Sequence, residues 1–148
     1  MIEAIKKAIF TQFNPEEKKW VFLSWFDESK KLHVSQWVVD TDKPLREVVE
    51  LLYNEHIKPW LKALQYISVD VVAEIIEIQD PNELREMSPE EFGLIIIDQE
   101  DDTTWVILPN TSWIVDMKWA LYQIKQKYWI HWKADIAVFR TERIILSK

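Results

Sequence analysis

Cysteine is absent from this sequence, and glycine nearly so, with Gly93 its single representative. The first absence excludes disulfides, thiolate nucleophiles, zinc ribbons and iron–sulfur ligation together. The scarcity of glycine excludes loops that wrap a phosphate, because backbone approaches a phosphate closely only where side chains are missing. The P-loop, the dinucleotide fingerprint and the nucleophile elbow all fall away on that ground. Positive charge is also in short supply: 18 Lys and Arg stand against 25 Asp and Glu, a formal net charge of -7. Affinity for nucleic acid comes mainly from Lys and Arg contacts to phosphate, so no nucleic-acid partner is expected. Long apolar runs are lacking as well. Met1–Phe13 is interrupted by Glu3, Lys6 and Lys7, which fits neither a signal peptide nor a membrane span. A membrane partner is therefore not expected, and the cytoplasm is the expected location.

What is present reads as an ordinary globular chain: 148 residues, 48% hydrophobic and 29% charged. This length predicts one domain over residues 1–148, with enough buried surface to need no metal or disulfide staple. Nine tryptophans are unusual for such a chain. Either they fill the core, as aromatics commonly do, or some of them form an exposed contact patch.

Periodicity orders the elements. Ile2, Ile5, Ile9 and Phe13 recur at helical spacing, and Asn14-Pro15 ends that helix. Residues 20–26 and 32–39 read as two strands of a hairpin about the polar turn 27–31. Asp42 is the expected N-cap of a helix with Pro44 just inside it, and Leu45, Val48, Val49 and Leu52 form its buried stripe. Residues 66–78, rich in Val and Ile, predict a long strand, and 80–91 a loop with short helical turns. A second hairpin pairs 94–97 with 105–108. A helix is expected from about Trp113 to Tyr128, its stripe being Met117, Ala120, Leu121, Ile124 and Tyr128. Residues 134–146 close the chain as a strand. Strands and helices mix without strict alternation, so the predicted class is α+β with a mostly antiparallel sheet and packed helices.

Several segments then carry a family resemblance. Ile67-Ser68-Val69-Asp70-Val71, Phe92-Gly93-Leu94-Ile95-Ile96, Ile107-Leu108-Pro109-Asn110 and Phe139-Arg140-Thr141-Glu142-Arg143 occur in the order and spacing of conserved stretches of the AMMECR-type domain family. This family is also known as the AmmeMemoRadiSam system protein A family. In the first half, Val21-Phe22-Leu23-Ser24 resembles the family's VFVTL segment. The resemblance covers nearly the whole chain and implies a single AMMECR-like domain. One departure matters most. The family's signature on the second strand reads LRGCIG, whereas this chain has Leu32-His33-Val34-Ser35-Gln36-Trp37. The arginine, the cysteine and both glycines are gone, which implies a diverged member without the chemistry suspected of that motif.

The resemblance places Ser35 at the cysteine position. A serine nucleophile needs an adjacent base, and His33 lies two residues away, on the same face of a regular strand. Asp70, inside an apolar strand, would need a partner if buried. These three residues are the candidates for an enzyme using a cleft near strand 32–39. His33, His56 and His131 match no metal-ligand spacing, so neither a metal nor another cofactor is expected. Glu100-Asp101-Asp102 reads as a solvated hairpin turn. The enzyme is the alternative reading; the first is a non-catalytic binding or interaction domain contacting a protein partner or a second copy of itself. Its candidate contacts are Trp129 and Trp132, from the aromatic stretch 128–133, together with Trp37 and Trp60.

Overall fold

The bulky run Val21–Phe26 forms strand β1, and Leu32–Val38 folds back on it as β2. The computed structural model describes residues 1–39, 41–98, 100, 103–111, 114–127 and 134–147. Two compact units emerge: Met1–Val72 with Glu142–Lys148, and Ala73–Thr141. Two 13-residue strands, β3 (Tyr66–Ile78) and β6 (Asp135–Ser147), contribute residues to both.

In the first unit the strand order is β2-β1-β3. Both pairings of β1 are antiparallel, with Leu23 opposite Gln36 on one side and Val69 on the other. Val21, Leu23, Trp25, Ile67, Val69 and Val71 share one sheet face, as the period of two requires, and all are buried. Two helices supply the rest of this core. Helix α1 (Ile2–Phe10) buries Ile5 and Ile9, and α2 (Leu45–Leu52) buries Leu45, Val48, Val49 and Leu52. The α2 stripe is the one expected from helical spacing, whereas α1 ends at Phe10, ahead of Asn14-Pro15, and buries only Ile5 and Ile9 of its expected four.

The start of α2 differs from expectation. The residue at the N-cap is Pro44, in an extended conformation and without a side-chain cap, rather than Asp42. The first amides of a helix need partners outside it. Here Leu45 N donates to the Glu17 carbonyl at 2.8 Å and Arg46 N to the Pro15 carbonyl at 3.0 Å. The loop after α1 does the work of a cap, so Asp42 is not called on. Beyond Leu52 the helix widens into a π turn over Tyr53–Ile57 and tightens into a 3-10 turn over Lys58–Trp60. The change of winding falls where Pro59 lacks the N–H that an α-helix would use.

In the second unit the strand order is β6-β4-β5, with β4 (Gly93–Asp98) antiparallel to both β6 and β5 (Thr103–Ile107). Helix α3 (Met117–Lys127) buries Met117, Ala120, Leu121 and Ile124 in a core with Leu94, Ile96 and Val138. It starts later than the sequence suggests, because the Asp116 carboxylate accepts from Trp119 N at 2.8 Å and caps the first turn there. Six strands and three α-helices among the described residues make this an α+β fold. None of these helices is long and apolar enough to cross a membrane.

Candidate interaction surface

The residues singled out on β2 do not converge. In the β1–β2 register Trp25 faces Val34 while Phe26 faces Leu32, which leaves His33 as the extra residue of a β-bulge. The bulge turns His33 onto the ring of Trp25, stacked at 4.5 Å between centroids with 6° between planes. Its Nε2 lies 2.6 Å from Asp27 Oδ2. Ser35 resumes the regular register opposite Ser24, whose side chain lies on the other sheet face from Trp25. The same-face relation of His33 and Ser35 expected for a regular strand is therefore broken by one inserted residue.

Asp70 is buried on β3 and accepts from Arg143 Nε at 2.9 Å. It shares a face with Ser35, but β1 lies between them: Asp70 is opposite Phe22, and Phe22 is opposite Trp37. Two strand spacings, roughly 10 Å, separate the β2 and β3 backbones. Of the histidines, His56 Nε2 lies 3.6 Å from Glu55 Oε2, and His131 lies outside the described residues.

The four candidate tryptophans fare differently. Trp37 and Trp60 are exposed, at 42% and 50%. They do not form one patch, since Trp37 is on the Phe22 face of the sheet whereas Trp60 packs 6.1 Å from Trp25, whose ring belongs to the opposite face. Trp129 and Trp132 lie outside the described residues.

The second unit carries a surface that the sequence reading passed over. Trp119 and Tyr122 on α3 are 49% and 57% exposed. The signal for them was present: with 117, 120, 121 and 124 inward, a period of 3.6 puts 119, 122 and 126 outward. Gln126 Nε2 donates to the Tyr122 hydroxyl at 2.7 Å, which fixes that ring along the helix. Trp119 stands between two concavities. One, of about 320 Å³, is lined by Trp105, Val106 and Ile107 of β5 and by Trp119, Gln123, Ile124 and Lys127 of α3. The other, of about 550 Å³, is lined by Arg85, Asp116, Lys118, Trp119 and Tyr122. Covering the exposed half of one indole removes on the order of 100 Å² from water, worth about 2–3 kcal/mol. Trp119 beside the apolar groove and Tyr122 beside the charged concavity suit a binding hot spot, where Trp and Tyr are enriched.

Against known proteins, no family model matches this chain, and no curated protein matches it. Its fold is similar to the crystal structure of the uncharacterized protein PH0010 from Pyrococcus horikoshii. The two are 18% identical, with 99% of this chain and 92% of that one covered and a TM-score of 0.68. At that identity the likeness shows the fold alone.

Proposed function

We propose that this chain is a diverged AMMECR-type domain that acts in the cytoplasm as a non-catalytic interaction module. A protein partner, or a second copy, docks on the outer face of α3. The observation that carries the proposal is Trp119, half exposed on a capped helix and shared by two adjoining concavities. The family assignment is supported by where the resembling segments lie. Ile67–Val71 falls in β3, Gly93–Ile96 in β4 and Phe139–Arg143 in β6, while 107–110 leaves the end of β5 for the turn after it, so three of the four segments belong to the sheet. The catalytic alternative requires Ser35, His33 and Asp70 to meet. It receives no support from a bulge that sends His33 to Trp25 or from an Asp70 held by Arg143.

The test compares pairs of tryptophan-face variants. The chain purified from its native cells is expected to carry a partner, or itself, in fixed ratio. Trp119→Ala combined with Tyr122→Ala should cut that recovery at least tenfold with the melting temperature unchanged. Full recovery in this double variant, with loss in Trp37→Ala or Trp60→Ala instead, would move the surface elsewhere and overturn the proposal.

A further inference from the structure

Strand β5 and the groove beside it point to the kind of partner. On a strand inside a sheet, successive side chains alternate between two faces, so one groove sees every second residue. The groove against α3 is lined by three consecutive residues, Trp105, Val106 and Ile107. Such a lining arises where a groove runs along the free edge of a strand. Among the described residues β5 is hydrogen-bonded to β4 alone. Its sequence, Thr-Thr-Trp-Val-Ile, is rich in β-branched and aromatic residues. It contains none of the lysine, proline or bulge devices that usually protect an edge from pairing. The other edge strand, β2, is interrupted by the bulge at His33 and follows Lys30 and Lys31.

Charge narrows the choice further. The chain as a whole is acidic, at -7, yet the paired concavities are lined by Arg85, Lys118 and Lys127 against one carboxylate, Asp116. Asp116 already caps α3. Lys118 Nζ donates to the neutral Asn82 amide oxygen at 2.8 Å, and among the described residues neither Arg85 nor Lys118 has a carboxylate partner. A locally basic surface on an acidic molecule draws acidic segments and repels basic ones.

Building on the interaction-module reading, we infer that β5 accepts an extended, acidic segment of a partner protein as an added strand. An apolar side chain of that segment enters the groove over Ile107 and Ile124, between the rings of Trp105 and Trp119. Its acidic side chains turn toward Lys118, Lys127 and Arg85. Main-chain hydrogen bonds along the β5 edge supply affinity, and the groove and the charges supply selectivity.

The probe is a synthetic capped peptide with threonine at every second position and aspartate, isoleucine and aspartate at the positions between, so that its acidic and apolar side chains share one strand face, titrated into the full chain labelled with nitrogen-15. Two control peptides replace each aspartate by lysine or methylate alternate backbone nitrogens. The expected result is saturable shifts of the Thr103–Ile107 amides and of the Trp105 and Trp119 indole N–H groups. Binding should weaken at least tenfold in both control peptides and in Trp119→Ala, and should weaken as salt is raised. Using altered probes keeps the test valid even if a β5 variant fails to fold. Equal binding of the lysine or methylated peptide, or no shift in β5, overturns the strand-addition inference. So does β5 perturbation that depends on protein concentration alone, since this would mean pairing between copies. If the peptides fail while the Trp119 and Tyr122 double variant still loses its partner, only the strand mode is refuted. If that variant keeps its partner, the module reading fails with it.

Discussion

At the scale of single residues, the lone glycine has a steric explanation and not a catalytic one. Gly93 is opposite Phe139, and a Cβ built there would stand 2.6 Å from the Ile107 carbonyl oxygen and closer still to the Phe139 ring. Gly93→Ala should therefore cost about 1–3 kcal/mol by overpacking, read from urea midpoints. The cost should be smaller in a Phe139→Leu background, and equal costs in both backgrounds would show that the ring is not the obstacle. The hairpin turn makes a second case. Asp27 Oδ1 accepts from Ser29 N, Ser29 Oγ and Lys31 N, while Oδ2 meets His33. The His33 hydrogen bond first, and then those from Ser29 and Lys31, hold the Asp27 carboxyl well below the usual carboxylate range. A lowered pKa means the carboxylate stabilises the fold above about pH 4, and that this contribution is lost as pH falls through the folded value. The stability gap between the natural chain and Asp27→Asn should be full at neutral pH and narrow steadily below about pH 4. A gap that stays constant into strong acid would contradict this account. In the same turn Lys30 adopts φ 65°. The left-handed conformation costs a side-chain-bearing residue roughly 1 kcal/mol, so Lys30→Gly should raise the unfolding free energy by up to about that much, read from urea melts.

At the scale of elements, the buried Asp70 of β3 is tied to Arg143 of β6. Asp70 is buried while the Arg143 side chain is one-third exposed, so Arg143→Met, which removes one charged donor from a buried carboxylate, should cost about 1–3 kcal/mol. Asp70→Leu made together with Arg143→Met should recover much of that loss, and additive losses in a double-mutant cycle would show that the two residues do not act as a pair. How far these elements could be read in advance depended on which physical signal they leave in the chain. The Val and Ile run of β3 and the apolar stripes of α2 and α3 follow directly from period and composition. The need of Asp70 for a partner also followed from its apolar setting, although its partner was too distant in sequence to name. The bulge at His33 left no compositional mark, and it alone decides that His33 and Ser35 part company. The N-cap of α2 was misplaced because carbonyls of Pro15 and Glu17, not a nearby side chain, meet its first amides. Trp119 and Tyr122 are legible from the period of α3, which sets them opposite its inward stripe.

At the scale of the whole molecule, the chain has no cysteine, one glycine and a formal net charge of -7. Each compact unit has its own apolar core, so exposed aromatics on α3 are not needed to hold the second unit together. Surface residues whose removal leaves stability unchanged while abolishing association are the mark of an interface. The most direct measurement places the photocrosslinker p-benzoylphenylalanine at position 122, and separately at the exposed Ile145 position on β6, and illuminates the chain in its native cells. A discrete adduct at 122 that disappears with Trp119→Ala, and no such adduct at 145, is the predicted result. Adducts of equal yield at both positions, or an adduct at 122 that survives Trp119→Ala, would contradict it.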